Sequence, residues 1–499
     1  MRLLLSLLFC FFTYSTVYTQ NLDDAINYNF NNEIGNSRFT SMGGAFGALG
    51  GNLSAISINP ASGSVFEMSR LGGSLAIESN NIESNFYNNS NEVKKSSLHY
   101  QGGIVYVFKN YADGKLNKFS FGFNFQSSNS FNEELIISGK SNLSIDNFFL
   151  NNALGLNPSE LSVNNNESSS GVYRWLGNNY GYYAQQAFLG YQSYLLDYDD
   201  DDNNFYSLAK YDDGLNIKNE IYSNGTKNKA SINLSGQYNK NLHFGLNLNI
   251  YEINISKDNI HTEDDFDSNS SIKFINFNNY LLTSGMGFSL QAGLIYKINN
   301  FRIGLSYESP NWFNFEEQLE QKIEVQSLDF ITNELYIDIV DPRIINIYEY
   351  NYRTPSKLTF SAATVIKNML VLSFDLENKN YSNSKFSSRE KTTYNNLNSA
   401  INKNLSSVYN FRFGTELRIK KFSFRGGFKQ SNSPYDNSKI KLSSKSFGIG
   451  YEFQKSSLDI GFSINEIKSD YQLFDTGLTN TAQINNNQFL TVISYNIIF

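Results

Sequence analysis

Four arginines are the residues of this sequence best suited to hold an acidic ligand. Each lies on the polar side of a segment in which polar and apolar residues alternate. They are Arg302, Arg412, Arg418 and Arg425, and Lys429 lies close to the last of them. A guanidinium group can hold a carboxylate through two parallel hydrogen bonds, so this set is a candidate carboxylate site. The alternative is that the arginines form internal ion pairs with Glu416, Glu452 and Asp459, and the similar frequency of acids and bases there favours it.

No other set of reactive side chains forms a recognisable site. Asp197 and the run Asp199–Asp202 offer carboxylates to calcium, but they lack the glycine and terminal glutamate of an EF-hand loop, so we expect solvated loop charge. His99, His243 and His261 are scattered and have no metal-ligand spacing. A Gly-x-Ser-x-Gly elbow, a phosphate loop and a CxxC pair are all absent from the sequence. We therefore predict a protein that is not an enzyme and needs no metal or cofactor.

A glycine-rich stretch from Gly43 to Ala61 is the most distinctive local feature of the chain. It contains Gly43, Gly44, Gly47, Gly50 and Gly51, and it ends in Asn59, Pro60 and Ala61. Glycine permits backbone conformations that a Cβ forbids, so the stretch predicts a compact irregular segment rather than a helix or strand. Pro60 would fix the turn into the following chain. The simpler interpretation is that Asn59-Pro60-Ala61 only orders this turn.

After this stretch, apolar and polar residues alternate along most of the chain. In 119–125, 242–250, 370–376 and 447–453, every second residue is Phe, Leu, Ile or Tyr. A period of two predicts β-strands with one apolar and one polar face. Aromatic residues make up 15% of the chain although its mean hydropathy is −0.39. This combination is typical of membrane β-barrels and unusual for a soluble core.

Charge and proline content disfavour two other classes of protein. The formal net charge of −7 and the lack of a basic cluster argue against a nucleic-acid-binding protein. A soluble β-sandwich would need more proline-containing turns than the six prolines of this chain can supply. The apolar run in the first residues is too short to cross a membrane as a helix.

Short and long polar connections alternate along the predicted strands. Tight turns are predicted at 239–241, 299–300, 367–368, 420–421 and 454–456, and long connections at 140–226, 257–283, 317–350, 385–405, 433–440 and 471–487. This alternation is expected of a barrel with tight turns on one side of a membrane and long loops on the other. It predicts an all-β, transmembrane antiparallel β-barrel of about fourteen strands, at 70–82, 97–109, 117–137, 227–239, 242–256, 284–298, 301–316, 351–366, 369–384, 406–419, 421–432, 441–454, 456–470 and 488–499.

The glycine-rich stretch also carries a family resemblance. Ser41-Met42-Gly43-Gly44-Ala45-Phe46 and the residues from Ser54 to Ala61 resemble the N-terminal hatch of the FadL-type outer-membrane transporters for hydrophobic compounds. The rest of the chain matches that family only as a strand pattern. The resemblance implies that residues 20–66 form a periplasmic segment and a hatch inside a barrel of residues 67–499. It also implies passive uptake of hydrophobic molecules, with long-chain fatty acids as the expected substrates.

Both ends of the chain carry features expected of an exported barrel. Residues 1–19 read as a cleaved signal peptide, and the only cysteine, Cys10, lies within it. We expect residues 21–38 to lie in the periplasm. The last strand places Tyr495, Ile497 and Phe499 on one face, which resembles the signal read by the barrel-assembly machinery.

The connection 140–226 is predicted to form a long, partly helical extracellular loop. Residues 145–150 and 182–191 have apolar residues at helical spacing. Loops of this length are usually functional, so Phe148, Phe149, Phe188 and Tyr191 are candidate contacts for a hydrophobic substrate.

Together these features predict a monomeric channel in the outer membrane of a Gram-negative bacterium. Its expected partners are hydrophobic small molecules, fatty acids first, with outer-membrane lipids and the barrel-assembly machinery, and no nucleic acid. A receptor for another ligand such as heme, or a structural or adhesive barrel without transport, remains an alternative.

Overall fold

The protein is a single closed β-barrel that holds part of its own N-terminal chain inside. The computed structural model describes residues 20–499 apart from 30–32, 111–113, 390–392 and 436–440, and for Lys441 it describes the backbone alone. The predicted signal peptide, residues 1–19, lies outside the described residues.

One antiparallel sheet forms the wall, and β1 pairs with β21 to close it. The strands are β1 (Arg70–Phe86), β2 (Asn89–Lys109), β3 (Leu116–Ser130), β4 (Glu133–Ser141), β5 (Leu196–Asp199), β6 (Asn204–Ser207), β7 (Leu215–Tyr238), β8 (Leu242–Asp264), β9 (Ile272–Ile298), β10 (Phe301–Glu308), β11 (Trp312–Asp329), β12 (Glu334–Val340), β13 (Asn346–Arg353), β14 (Lys357–Ile366), β15 (Leu370–Asn380), β16 (Lys385–Ser387), β17 (Ser407–Ile419), β18 (Phe422–Asn432), β19 (Lys441–Glu452), β20 (Ser456–Gln472) and β21 (Thr481–Ile498). β5 and β6 form a separate two-stranded sheet and are not part of the wall. In the wall, β3 with β4, β10 with β11, β12 to β14, and β15 with β16 each make one interrupted strand. The described wall therefore has fourteen strands, as predicted.

The two faces of the wall differ in the way the alternation predicts. Phe121, Leu246 and Phe447 are exposed on the outer face, whereas Ser120 and Asn247, from the same strands, are buried inside. An outer apolar belt and a polar interior are the arrangement of a membrane-spanning barrel. The prediction of an all-β transmembrane barrel is confirmed.

Tight turns at one end of the barrel, here called the turn end, occupy the predicted positions. Asn239, Lys240, Asn299, Lys367 and Asn368 all have φ between +48° and +59°. Two-residue hairpin turns require this left-handed backbone, and asparagine tolerates it better than most residues. The opposite end, here called the cap end, carries the longer connections.

The strands at the cap end are longer than predicted, and the loops are correspondingly shorter. β9 has 27 residues, whereas about 9–11 tilted residues suffice to cross a bilayer. Three connections are shorter in the structure than predicted. They cover 142–214, 265–271 and 473–480, where the predicted ranges were 140–226, 257–283 and 471–487. Most of 317–350 is also strand, in β11, β12 and β13. These predictions were wrong because the outer face becomes polar beyond the apolar belt while the hydrogen-bonded ladder continues, and polar outer residues were read as loop.

Residues 142–214, here called the cap, contain the predicted helices. The helices of the chain are α1 (Leu22–Asn27), α2 (Ser37–Ser41), α3 (Asp146–Ala153), α4 (Pro158–Leu161), α5 (Ser169–Asn179), α6 (Tyr182–Gln192) and α7 (Asn395–Asn404), with 3-10 turns at Ser54–Ser57, Pro60–Val65 and Tyr381–Asn383. None of the described helices is long and apolar enough to cross a membrane. α3, α5 and α6 pack on the inner faces of the long strands and form the largest apolar core of the protein.

Residues 33–66, here called the inner segment, lie inside the barrel near the turn end. The segment contacts inward-facing residues of strands on opposite sides of the wall, including Asn233 of β7, Asp375 of β15 and Ser494 of β21. The sequence predicts a periplasmic location for residues 21–38, which would place them outside the turn end. Residues 20–29 are not there. They lie deeper in the lumen, because Ala25 and Tyr28 are buried against aromatic residues of β8, β11 and β13.

We predict that Gly427→Ala destabilises the protein by about 1–3 kcal/mol, because a Cβ there would overlap the backbone of Met42 and Gly43. The neighbouring Gly426→Ala is a matched control, since its Cβ would meet nothing closer than Thr415 Cγ2 at 3.6 Å. Heat-modified electrophoretic mobility gives the unfolding temperature of each variant. Equal unfolding temperatures for the two variants would show that the inner segment does not press on β18.

Candidate functional site

The glycine-rich stretch forms the part of the inner segment that touches the wall most closely. Gly43, Gly44, Gly50 and Gly51 all have φ between +61° and +74°. Gly47 has an ordinary φ, but its backbone approaches Ser361 so closely that a side chain would overlap it. The glycines thus serve two purposes, since four provide left-handed turns and one provides close approach.

Asp375 of β15 holds the middle of the inner segment. This fully buried carboxylate accepts hydrogen bonds from the backbone amides of Phe46 and Gly47, at 3.0 to 3.1 Å. Asn59 ties the segment to itself and to the wall, because its Nδ2 donates to Gly47 O at 2.7 Å and to Leu294 O at 3.1 Å. Its Oδ1 accepts from Ala61 N at 3.0 Å, across Pro60. The structure thus brings the predicted hatch residues together.

Further hydrogen bonds make the inner segment one body. Asn36 Nδ2 donates to Asn52 Oδ1 at 2.9 Å, and Asn36 N donates to Ser54 Oγ at 2.8 Å. Gly50 N donates to Phe46 O at 3.2 Å. The start, middle and end of the segment are therefore linked to one another as well as to the wall.

Glu416 of β17 anchors the start of the inner segment. This buried carboxylate accepts from Arg38 Nε at 2.7 Å, from Arg425 Nε at 2.7 Å and from Arg418 Nη2 at 2.6 Å. Arg425 also pairs with Asp459 at 2.6 Å. Arg418 and Arg425 are thus committed to ion pairs, which is the alternative that the sequence favoured.

The other two arginines differ from each other. Arg302 donates through Nη1 to Leu49 O of the inner segment. Arg412 Nη2 pairs with Glu377 at 2.6 Å, while its buried Nη1 has no hydrogen-bond partner within the described residues. A small cavity of about 60 Å³ lies beside it and is also lined by Glu33, Lys357 and Lys429. Arg412 is therefore the predicted arginine that keeps an unpaired donor while lining this cavity.

Further buried lysines that the sequence analysis did not single out lie in this part of the lumen, and Lys357 is the one among them that lines the cavity. Lys229 lies between Glu33 and Glu308, at 3.7 and 3.8 Å, and Lys357 pairs with Glu308 at 2.9 Å. Lys227 and Lys379 donate to the backbone oxygens of Tyr28 and Asn29, at 2.6 and 2.8 Å. These lysines could have been identified from the sequence, because each one occupies an inward position of a strand with alternating polar and apolar residues.

An aromatic chamber adjoins these lysines, since Lys227 and Lys229 both lie over the ring of Tyr251. We use this name for the wall residues Tyr251, Phe313, Phe315, Tyr350 and Tyr352, which are buried together. Tyr28, just after α1, fills the chamber and stacks on Phe315 with ring centroids 4.6 Å apart. Its hydroxyl donates to Glu317 Oε1 at 2.9 Å. The N-terminal chain therefore occupies an apolar site in the lumen.

The predicted loop aromatics are structural residues of the cap in this conformation. Phe148, Phe149 and Phe188 are at most 3% exposed and lie in the cap core, with Tyr191 packed against it. Glu263 of β8 fixes the start of α3, because it accepts from Ser144 Oγ at 2.5 Å and from Ile145 N at 2.7 Å. A substrate would reach these rings only after the cap opens.

The remaining predicted residues are separated from these sites and from one another. The three histidines contact different groups: His99 lies beside Ser127, His243 beside Ser64 and His261 beside Glu263. Within the described residues, no group of His, Cys, Asp and Glu side chains is placed to hold a metal ion. Asp199 caps the turn of the small β5–β6 hairpin, where it accepts from the amides of Asp201 and Asp202. Tyr495, Ile497 and Phe499 are exposed on the outer face of the last strand.

Comparison with solved structures identifies the fold. A FadL homologue of Pseudomonas aeruginosa is 11% identical, with a TM-score of 0.56 over 94% of this chain and 99% of that chain. The CymD monoaromatic hydrocarbon channel and the P. putida toluene transporter TodX are 12% and 13% identical. Both give TM-scores of 0.51, over 94% and 93% of this chain and 99% and 98% of theirs. No protein-family model and no curated protein matches the sequence.

Sequence identities this low establish a similarity of fold and nothing more. The chain has the fold of the FadL-type outer-membrane channels, and the resemblance predicted from the glycine-rich stretch is confirmed at that level. Two of these three structures are described as a channel and a transporter.

We predict that Glu416→Gln loosens the start of the inner segment by about 3–5 kcal/mol, because it leaves buried arginines without their carboxylate. Hydrogen exchange of the amides of residues 37–46 would then accelerate. Glu466→Gln is the control, since Glu466 pairs with Lys468 where both side chains are at least half exposed, and exposed pairs contribute about 1 kcal/mol or less. Equal exchange in the two variants would contradict the anchoring role of Glu416.

We predict that the cap loses stability as pH rises through about 6. Burial raises the pKa of Asp146, in α3, from 3.8 to about 6. A raised pKa means that the folded cap binds the proton of Asp146 more tightly than the unfolded chain does. The protonated carboxyl group therefore stabilises the cap fully below pH 3.8, and this stabilisation is lost above about pH 6. Asp146→Asn should remove this dependence and stabilise the cap at pH 7.5 by at most about 3 kcal/mol. Hydrogen exchange of cap amides at pH 5 and 7.5, corrected for intrinsic rates, measures the stability of the cap in each protein. A variant with the same pH dependence as the wild type would show that Asp146 is not the group responsible.

Proposed function

We propose that this protein is an outer-membrane channel for the passive uptake of hydrophobic compounds. The observation that carries the proposal is a closed barrel with an apolar outer belt whose polar lumen is filled by a glycine-rich segment of its own chain. The similarity to channels described for monoaromatic hydrocarbons and toluene supports a hydrophobic solute. Because the solute moves down its gradient, no cofactor or energy source is needed.

Long-chain fatty acids are the substrates that the lumen suits best. A carboxylate placed in the small cavity would meet Arg412 Nη1 and Lys429, and charge-assisted hydrogen bonds of this kind are the strong ones. The aromatic chamber offers the apolar surface that an acyl chain requires, once Tyr28 has left it. Residues 20–29 would therefore move before, or together with, the inner segment.

The hatch role is assigned to the inner segment as a single body. It lies across the lumen at the turn end, so a solute that enters from the cap end meets it last, after the cap and residues 20–29. Its internal hydrogen bonds link Asn36, Asn52 and Asn59 to their neighbours, which favours movement as a unit. Gly43, Gly44, Gly47, Gly50, Gly51, Asn59, Pro60 and Ala61 form the gating residues of this proposal.

A sideways exit through the wall is favoured by a gap in the ladder beside the inner segment. β2 pairs with β3 only from Gln101 to Lys109, so the rest of β2 lacks ladder pairing on that side within the described residues. Ile34 N of the inner segment donates to Ser127 O, next to the gap, at 3.3 Å. Movement of the segment would therefore release the edge of the gap.

The topology in the membrane follows from the same proposal. The turn end faces the periplasm and the cap faces outward, where Phe148, Phe149, Phe188 and Tyr191 would contact substrate when the cap opens. Residues 1–19 direct export and are removed, residues 20–66 form the N-terminal segment and hatch, and residues 67–499 form the barrel. Tyr495, Ile497 and Phe499 present the signal for barrel assembly, and the protein acts as a monomer.

Uptake by liposomes tests the proposal. Vesicles with the intact chain should admit labelled oleate faster than protein-free vesicles, and deletion of residues 43–61 should raise the rate further by removing the obstruction.

Lys429→Gln should slow oleate uptake severalfold but leave toluene uptake unaffected, because toluene has no carboxylate. Arg389→Gln serves as the control, because Arg389 also carries one positive charge, is exposed and does not line the cavity. Oleate entry no faster than in protein-free vesicles would end the fatty-acid proposal, whereas equal slowing of toluene would end the head-group assignment.

A further inference from the structure

A polar groove on the outer surface of the barrel lies far beyond the apolar belt. It has a volume of about 590 Å³ and is lined by Tyr87 and Asn89 of the β1–β2 hairpin, by Lys140 of β4, and by residues of β7 and β8. This volume falls within the range of about 300–1,000 Å³ that is usual for ligand sites. The groove belongs neither to the lumen nor to the cap core.

The height of the groove above the membrane follows from β8. Ile250 is the last exposed apolar residue of the outer belt on this strand, and Thr262 lines the groove. The intervening residues span about 40 Å at about 3.3 Å per residue, before strand tilt is considered. In the outer-membrane location that the proposed function assigns, this is the layer occupied by the sugars of membrane glycolipids.

The side chains of the groove are held in place by one another. Asn89 Nδ2 donates to the backbone oxygen and to Oγ of Ser138, at 2.9 and 2.8 Å. Asn216 Nδ2 donates to Asp264 Oδ1 at 3.0 Å. Such pre-ordered side chains lose little rotamer freedom when a ligand binds, which favours binding.

Tyr87 supplies an exposed aromatic ring at the edge of the groove. Its hydroxyl accepts from Asn480 Nδ2 at 2.6 Å and donates to Asn142 Oδ1 at 3.2 Å, so the ring is fixed although it is 60% exposed. Amide, hydroxyl, ammonium and carboxylate groups around an exposed ring match the chemistry of a sugar, whose hydroxyls need donors and acceptors and whose C–H face stacks on an aromatic plane.

We propose that this groove binds an oligosaccharide, namely the sugar part of the glycolipids in the surrounding outer leaflet. Lys140 and Lys218 at its sides would favour sugars that carry phosphate or carboxylate substituents. The inference rests on the outer-membrane location within the proposed function but not on transport.

A substitution at Tyr87 separates binding from folding. Its φ is +48°, a backbone conformation that glycine adopts without strain, so Tyr87→Gly removes the ring while relieving the hairpin. Tyr194→Gly is the matched control, because Tyr194 lies in the cap, has a φ of +55° and is 63% exposed, yet does not line the groove.

The test uses the full-length chain in nanodiscs free of lipopolysaccharide. The probe is the core oligosaccharide released by mild acid from a smooth lipopolysaccharide, titrated by calorimetry. The oligosaccharide should bind the wild type and Tyr194→Gly equally and Tyr87→Gly roughly tenfold more weakly. Absence of binding to the wild type, or equal binding to Tyr87→Gly, would overturn the proposal.

Two further binding measurements identify the source of the sugar. Deep-rough lipopolysaccharide, which lacks the outer core sugars, should not compete for the groove. Maltoheptaose represents soluble neutral glycans, and equal affinity for it would overturn the assignment to a membrane glycolipid. Because the assay measures binding and not uptake, its failure leaves the proposed channel standing, and failure of oleate uptake leaves this result unaffected.

Discussion

The polar inner face of the barrel must find hydrogen-bond partners, and the backbone of the inner segment supplies many of them. Asp375 accepts from two backbone amides of the segment, while Asn247 and Gln291 donate to the backbone oxygens of Ile56 and Ile58 at 2.8 and 2.9 Å. Buried polar groups without partners are costly, so this pairing stabilises both the wall and the segment. An obstruction that is made of backbone can be held firmly without a large apolar core of its own.

This way of packing explains why glycine recurs on both sides of the contact. A Cβ on Gly245 would meet the backbone of Pro60, one on Gly304 would meet Gly47 and Ala48, and one on Gly414 would meet Met42. Backbone can approach backbone only where side chains are missing. The glycines of the segment and those of the wall therefore form one complementary surface.

Much of the fold was predictable because alternation at a period of two is a local property of the sequence. The tight turns were placed correctly, since Asn239-Lys240 and Lys367-Asn368 interrupt the alternation. The cap-end extensions of the strands were not, because the residues of β8 after Ser256 are mostly polar on both faces and resemble a loop. Pairing with β7 and β9, which is not a local property, keeps them in the sheet.

The lumen was predictable only in part for a related reason. Inward positions are recognisable from alternation, but the partner of each inward side chain depends on the curvature of the wall and on the path of residues 20–66. Arg425 and Arg412 occupy equivalent polar positions in the sequence, yet the first is saturated by Glu416 and Asp459 while the second keeps a free donor. The occupation of the aromatic chamber by Tyr28 left no sequence signal, because it depends on how the N-terminal chain enters the barrel.

The most direct test of the central claim is to tether the inner segment to the wall. Ser37 Oγ and Ser494 Oγ are 2.7 Å apart, so cysteines at these two positions are placed to form a disulfide, and the only native cysteine is Cys10. The account predicts that oleate uptake by liposomes with the double variant is slow when the disulfide is oxidised and returns to the wild-type rate after reduction. Wild-type uptake with the disulfide intact would show that solute passes without movement of the inner segment.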